Sequence, residues 1–199
     1  NEFVVAAISR EKFLTFESAK DIVGYTIKYR SDPIFLDPRN SDLGGRIIIN
    51  LEKLYLSIKK LNLKSSSIKE YYDHSFNIGI PQVNTHMLQD KIFGIECNFD
   101  ELNGIDFKKG CYVGQENTAR IKLKDKLSKR LFPVEVIEGD LSKDNIIHHE
   151  NTELGKVLIN DKFPFAIVKF KDKNFKFEKI FKCGSASVKI KKPYWFKFD

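Results

Sequence analysis

The segment Arg46-Ile-Ile-Ile-Asn-Leu-Glu-Lys-Leu-Tyr-Leu-Ser-Ile-Lys-Lys-Leu61 passes from a β-strand into an α-helix and decides the fold class. Its first part, Arg46–Ile49, is β-branched and apolar, which favours a strand. From Leu51 onward leucine and isoleucine recur at i, i+3, i+7 and i+10, the spacing of one helix face, and Asn50 stands at the N-cap position. A strand that leads straight into an amphipathic helix predicts an α+β layer in which both bury their apolar sides.

The neighbouring segments extend this layer. Ser67 and Glu70 have the spacing of a capping box, which predicts a second helix that ends before Gly79-Ile80-Pro81. Short apolar or alternating runs predict further strands at residues 2–8, 23–29 and 33–36. The first part of the chain is therefore predicted to be a mixed sheet with packed helices.

From about Lys129 the pattern becomes all-β. Short apolar runs, separated by polar turns, predict strands at 131–137, 155–159, 163–171, 175–181 and 187–190. Several short strands at near-regular spacing are typical of a small barrel. We therefore place a domain boundary after residue 127, which gives a first domain of 1–127 and a C-terminal β-barrel domain of 128–199.

The chain has 199 residues and a net charge of +7, carried mainly by lysine. We attribute this excess to codon bias and solubility, so nucleic acid is not an expected partner. The sequence has no apolar run near the roughly 20 residues that span a bilayer, so no membrane association is expected. Three cysteines without a Cys-x-x-Cys pair indicate a reducing compartment, and we assign no metal site.

The segment 103–120 carries the chemistry. Cys111 lies between Gly110 and Gly114, and good helix formers follow, so a helix is predicted to start at Gly114 or Gln115. A helix N-terminus and the preceding lysines both favour a thiolate, hence a nucleophile or a metal ligand. A small, buried, unreactive cysteine is the alternative that the residues leave open.

The run Lys109-Gly-Cys-Tyr-Val-Gly-Gln-Glu116, followed by Ala119-Arg120, resembles the signature of the YgfZ-type folate-binding proteins. Other matches occur in the same order as in that family: Asp37-Pro38-Arg39, Leu43-Gly44 with Arg46, Gly79-Ile80-Pro81, Asn103-Gly104-Ile105-Asp106-Phe107, Lys129-Arg130-Leu131 and Pro193-Tyr194-Trp195. The resemblance covers the chain from about Asp32 to its end.

The resemblance implies a folate-binding domain of the aminomethyltransferase (GcvT-like) fold with tetrahydrofolate as cofactor. It implies support for the assembly or repair of iron–sulfur enzymes, including tRNA-modifying ones, with Cys111 as the functional thiol. Folate and iron–sulfur assembly or client proteins are then the expected partners, and a transient cluster would need a further ligand from a partner. The same resemblance assigns cofactor binding to Arg39, Arg46, Lys109, Tyr112, Gln115, Glu116 and Arg120.

Several of these assignments have structural alternatives. Arg39 and Arg46 would bind the glutamate tail of folate or would pair with Asp37 or Asp42. The side chains that flank Cys111 would orient its loop, cap the following helix or simply pack. Relatives often carry an aromatic residue at the position of Gly45, and they have a longer N-terminal part that contributes much of the folate pocket.

Two other functions compete with this one. A tetrahydrofolate-dependent aminomethyltransferase of glycine cleavage shares the fold, although that group lacks the cysteine motif. An RNA-binding module would explain the positive charge, but the chain shows no aromatic RNP signature. We expect a protein that is not an enzyme and, since no targeting segment is visible, a bacterial cytoplasmic one.

Overall fold

A computed structural model describes residues 2–110, 115–123, 127–141 and 145–197. The chain divides into two compact units, residues 1–74 and 75–199. The predicted domain limit after residue 127 lies close to the first barrel strand, which starts at Arg130, and it stays a prediction.

The first unit is a four-stranded sheet with helices. Its elements are β1 (Phe3–Ile8), α1 (Arg10–Leu14), β2 (Thr26–Tyr29), β3 (Asp32–Leu36), β4 (Gly45–Asn50) and α2 (Leu51–Lys60), and α3 (Ile68–Asn77) begins in it. The strand order is β1-β4-β3-β2 and every pairing is antiparallel. The α+β class is thereby confirmed, but the predicted mixed sheet is wrong, because short turns between β2, β3 and β4 allow only antiparallel neighbours.

The core of this unit lies between the sheet and its first two helices. Phe13 of α1 is completely buried among isoleucines and leucines of β3 and β4, and Leu54 of α2 packs against the same cluster. The predicted N-cap is confirmed, since the Asn50 side chain accepts hydrogen bonds from the amides of Glu52 and Lys53. A short α1 was not predicted, because five residues are too few to show a period.

Two adjacent glycines are required where β4 begins. Gly44 has a φ of +80°, and a Cβ atom there would lie 2.0 Å from the carbonyl oxygen of Ile8. At Gly45 a Cβ atom would lie 2.8 Å from a ring carbon of Phe13. The position at which relatives often carry an aromatic residue therefore has no room for a side chain here.

The second unit contains a closed six-stranded barrel. After α4 (Gln115–Leu123) come β5 (Arg130–Glu138), β6 (Ile146–His149), β7 (Thr152–Ile159), β8 (Phe165–Val168), β9 (Ile180–Cys183) and β10 (Ala186–Ile190). The barrel order is β10-β5-β8-β7-β6-β9 with antiparallel pairings. The predicted C-terminal barrel is confirmed, whereas the finer assignment to the aminomethyltransferase fold stays a prediction.

Phenylalanine fills one part of the barrel core. The Phe132 ring meets those of Phe177 and Phe196 edge-on, with centroids 5.1 and 4.9 Å apart. Trp195 packs against the same cluster, and its indole nitrogen donates a 2.6 Å hydrogen bond to the carbonyl of Ile78. The aromatic side chains therefore hold the end of the chain to the barrel.

Two strand assignments differ from the sequence prediction. Residues 175–179 form turns instead of a strand, because Phe175 and Phe177 pack into the core from an irregular segment and β9 starts only at Ile180. The strand β6, which contains His148 and His149, is absent from the strands that the sequence predicts. Among the described residues, no helix has the length and apolar character that crossing a membrane requires.

Candidate functional site

The predicted site residues lie at two candidate sites, one in each unit. The arginine cluster of the first unit consists of Asp37, Arg39, Arg46 and Tyr71. Asp37 follows β3, and its side chain is only 1% exposed. The Arg39 guanidinium donates Nε to Asp37 Oδ1 at 3.0 Å and Nη2 to Oδ2 at 2.9 Å, and the Arg39 amide also donates to Oδ1 at 3.0 Å.

Arg46 of β4 completes the cluster. Its Nε donates to Asp37 Oδ2 at 2.5 Å, and its Nη2 donates to the hydroxyl of Tyr71. The guanidinium carbon also lies 5.4 Å from the centre of the Tyr71 ring, a cation–π distance. One buried carboxylate therefore holds two guanidinium groups on the surface of the sheet.

The electrostatics of the cluster follow from this pairing. Burial alone would raise the pKa of Asp37, but the hydrogen bonds from Arg39 and Arg46 outweigh it, so the pKa lies below its usual value. Burial likewise opposes the charge on Arg39, yet the bonds to Asp37 raise its pKa. Asp37 is thus the partner of both arginines, while Asp42 pairs with Arg10 instead.

The arginine cluster can be compared with what tetrahydrofolate binding requires. A glutamate tail needs guanidinium N–H groups that are not already engaged, whereas Nε and Nη2 of both Arg39 and Arg46 already donate to Asp37 or Tyr71. Next to them Gly45 offers no ring on which a pterin could stack. The described residues of the first unit therefore fit the cofactor poorly, and we derive no step through it.

The second place is the cysteine segment. Cys111 and Tyr112 lie outside the described residues, and for Gln115 the structure gives only its place as the first residue of α4. The described part of α4 begins at residue 115, one of the two helix starts that the sequence predicts. Glu116 is exposed in the first turn of α4 and Arg120 in the last, and Lys109 is exposed just before the cysteine.

The flanks of the cysteine are joined by a residue that sequence reasoning missed. Lys122 of α4 forms a 2.7 Å ion pair with Asp100, and its ammonium lies 3.8 Å from the centre of the Phe107 ring. Phe107 precedes the cysteine and α4 follows it, so Lys122 links the two sides. No local pattern could have identified it, because Asp100 lies 22 residues away in sequence.

The turns before the cysteine are themselves anchored to β5. Arg130 donates to both carboxylate oxygens of Glu101, at 3.0 and 2.6 Å, and to the carbonyl of Ile95 at 2.7 Å. The buried Asn98 donates to the carbonyl of Leu131 at 2.7 Å. Residues 95–101 are therefore fixed to the barrel, and they lead into the cysteine segment.

The two described cysteines have structural roles. Burial, and secondarily the charge of Glu96, raises the pKa of Cys97 to about 11, while Cys183 is completely buried in the barrel. With that pKa, Cys97 remains a thiol at neutral pH. Among the described residues, no three His, Cys, Asp or Glu side chains come together as a metal site would require.

Gly110, unlike Gly44, is not required by any described contact. A Cβ atom there would meet nothing within 4 Å, and its φ is not in the left-handed region. Among the described residues, no atom packs against the position of Gly110, which precedes Cys111.

Curated relatives of the chain are mitochondrial iron–sulfur cluster assembly factors. The chain is 33% identical over 115 residues to the IBA57 homologue of Dictyostelium discoideum, and 36% identical over 97 residues to that of Neurospora crassa. It is 31% identical over 102 residues to IBA57 of Homo sapiens. No protein-family profile matches the chain.

The matched segments cover 57%, 49% and 51% of this chain but 28%, 22% and 28% of those three relatives. The chain thus spans less than a third of the length of the curated relatives that it matches. Its homologues are iron–sulfur cluster assembly factors, which agrees with the YgfZ-type resemblance at a coarse level. The expected bacterial cytoplasmic location is contradicted, because these relatives are named as mitochondrial.

Proposed function

We propose that this chain belongs to a mitochondrial protein that supports the assembly or repair of iron–sulfur clusters through the thiol of Cys111. The observation that carries the proposal is the 33% identity over 115 residues to an iron–sulfur cluster assembly factor. The cysteine motif at 109–116 supplies the chemistry that such a role needs.

The surroundings of Cys111 in the sequence favour a thiolate. Lys108 and Lys109 precede it, and α4 starts four residues after it, at Gln115. A cation and a helix N-terminus both lower the pKa of a nearby thiol. A thiolate binds iron, so Cys111 is proposed to hold a cluster or a sulfur atom during transfer.

One thiolate cannot enclose a cluster, which takes several ligands. The described residues bring no further metal-ligating group together, so the remaining ligands are proposed to come from a partner protein or a small thiol. The cluster is then cargo that the protein passes on. Lys122, which links both flanks of the motif, is proposed to hold the segment in place for that transfer.

Tetrahydrofolate binding and service to a tRNA-modifying enzyme are two finer proposals. They rest on the resemblance of the cysteine motif alone. A calorimetric titration of tetrahydrofolate tests the first. Because Nε and Nη2 of Arg39 already donate to Asp37, we expect Arg39→Gln to leave any folate affinity unchanged within about twofold, as for an arginine that makes no ligand contact.

The decisive experiment is complementation in cells that lack their own relative of this protein, with the full-length gene. The readout is the activity of cluster-dependent mitochondrial enzymes and of a cluster-dependent tRNA-thiolating enzyme. Cys111→Ala is expected to abolish rescue, whereas the matched control Cys97→Ala is expected to rescue like the wild type. Equal rescue by Cys111→Ala would make that cysteine a packing residue, and failure of the wild type would contradict the function.

A further inference from the structure

The positive charge of the chain is concentrated in one stretch. Residues 169–197 contain ten lysines and two acidic residues, a net charge of +8. The remainder of the chain has 24 basic and 25 acidic residues and is balanced. Codon bias would spread lysine along the whole chain, so it does not explain this asymmetry.

Five of these lysines lie in or beside β9 and β10. We call them the lysine face: Lys176, Lys179, Lys182, Lys189 and Lys192. The Lys179 amide bonds the carbonyl of Lys176 at 3.1 Å, which places the two in one turn. The Lys182 ammonium donates to Ser187 across the hairpin at 3.2 Å. The Lys192 ammonium lies 5.8 Å from the ring centre of Phe177, which is next to Lys176 in sequence.

The lysine face sits on a rigid support. Phe175 stacks on Phe181 of β9 with ring centroids 5.6 Å apart and planes 10° apart, and Phe177 packs edge-on against Phe132. The aromatic side chains thus fix the backbone from which the lysines project. A backbone held in this way loses little conformational freedom when a partner binds.

Within the described residues, ammonium groups of the lysine face contact a hydroxyl, a ring nitrogen and an aromatic ring, on Ser187, His149 and Phe177 respectively. Lys53, Lys69, Lys122 and Lys169 form ion pairs with carboxylates. Within the described ranges, no ion pair with a carboxylate involves any member of the lysine face. Lys189 has Glu135 as its cross-strand neighbour on β5, yet the two do not pair.

We infer that the lysine face docks the acidic surface of a partner protein. The inference rests on the proposed function, because an assembly factor must meet the protein that supplies or receives its cargo. Ile180 is 57% exposed and lies opposite Lys189, so the face combines an apolar contact with surrounding charge, as protein interfaces do. Opposite charges on the two proteins would speed their encounter and set its orientation.

A nucleic acid fits this surface less well. Residues 169–197 contain no arginine, the side chain that reads bases and phosphates with two parallel bonds. The five phenylalanines of the same stretch pack fully or partly into the barrel, where bases cannot stack on them. The exposed lysines and the exposed isoleucine are better matched to carboxylates and an apolar side chain.

The test compares one triple variant with a matched control. Lys176→Glu, Lys182→Glu and Lys192→Glu together reverse three charges of the face. Lys28→Glu, Lys64→Glu and Lys156→Glu reverse three exposed charges elsewhere. Thermal unfolding checks that both triple variants fold. If the Lys→Glu variant of the lysine face does not fold, the same three lysines are replaced by glutamine instead.

The probes are a short Asp- and Glu-rich peptide with leucine at intervals, a single-stranded RNA of equal charge, and phosphatidylcholine vesicles with phosphatidylglycerol. We expect the peptide to bind in a salt-dependent manner, about tenfold or more weakly to the first triple variant and unchanged to the control. Equal loss in both variants, stronger binding of RNA or vesicles, or no peptide binding at low salt would overturn the inference. Cys111→Ala is expected to bind the peptide normally, so failure of the proposed function is distinguishable from failure of this one.

Discussion

Glu101 and Arg130 form a two-pronged ion pair, with Nη1 3.0 Å from Oε2 and Nη2 2.6 Å from Oε1, across 29 residues of sequence. The pair joins the turns that lead into the cysteine segment to the first strand of the barrel. Burial lowers the pKa of Arg130, against the attraction of Glu101. A guanidinium in this setting depends on its carboxylate.

The first prediction concerns that dependence. Glu101→Gln removes the carboxylate that is paired with the buried guanidinium and leaves only the weaker attraction of Asp100 and Glu96, so we expect a loss of about 2–4 kcal/mol in the free energy of unfolding. Urea denaturation measures it. Lys69→Gln is the control, because the exposed Lys69–Asp73 pair is worth at most about 0.5 kcal/mol. Similar losses in both variants would show that the Glu101–Arg130 pair contributes no more to the free energy of unfolding than an exposed ion pair.

The second prediction concerns Asp37 and pH. Its pKa is lowered in the folded protein, so the stability it contributes is present above the ordinary carboxyl pKa of about 3.9 and is lost as the pH falls below it. Asp37→Asn is expected to cost about 3 kcal/mol at pH 7, because two guanidinium groups lose their partner.

Urea midpoints of Asp37→Asn and wild type, measured between pH 7 and pH 3, check this. The difference between the two proteins should shrink toward the acid end, because the carboxyl of the unfolded wild type takes up a proton below about pH 3.9 while the folded carboxyl stays charged to a lower pH. A difference that stays constant over the whole range would contradict the lowered pKa. Asp73→Asn on the exposed face of α3 serves as the control.

The third prediction concerns the turn into β4. Gly44→Ala would place a Cβ atom 2.0 Å from the carbonyl oxygen of Ile8 at a φ of +80°. We expect a loss of more than about 2 kcal/mol, from strain and displacement of β1. The Cβ atom of Gly110→Ala meets no atom of the described residues within 4 Å, and this variant should change stability by less than about 0.5 kcal/mol. Thermal unfolding of both variants measures these losses of stability. A loss for Gly44→Ala as small as that for Gly110→Ala would refute the steric argument.

The fourth prediction separates the cysteines by reactivity. With a pKa of about 11, Cys97 is ionised to about one part in a thousand at pH 8, and Cys183 is inaccessible. Iodoacetamide should therefore label the native protein once, at Cys111, as mapped by mass spectrometry. The labelling rate of Cys97 should rise about tenfold per pH unit up to its pKa. Labelling of Cys97 as fast as Cys111 at pH 8 would contradict the assignment.

Local patterns were sufficient for the elements that depend on local physics. Asn50 caps α2 as its position predicts, and the Glu70 amide donates to the Ser67 hydroxyl at 3.4 Å, which is one of the two bonds of a capping box. The barrel was predictable because its strands are short apolar runs between polar turns. The prediction of a strand over 175–181 was wrong for residues 175–179. Alternating phenylalanines suggest a strand even where they enter the core from an irregular segment.

The candidate sites were predictable only in part, because their partners are distant in sequence. The residues left Asp37 and Asp42 open as partners for the arginines, and only the folded turn brings Arg39 and Arg46 to Asp37. Tyr71, which bonds Arg46 from 25 residues away, and Lys122 had no local signal. The role of Cys111 stays a prediction from its motif.

The position of β10 in the barrel has a consequence for biosynthesis. It pairs with β5 on one side and β9 on the other, so it closes the ring. While a ribosome has produced only β5 to β9, the emerging sheet has two open edges that can pair with other chains. The nascent polypeptide thus depends on protection from aggregation until the closing strand has been translated.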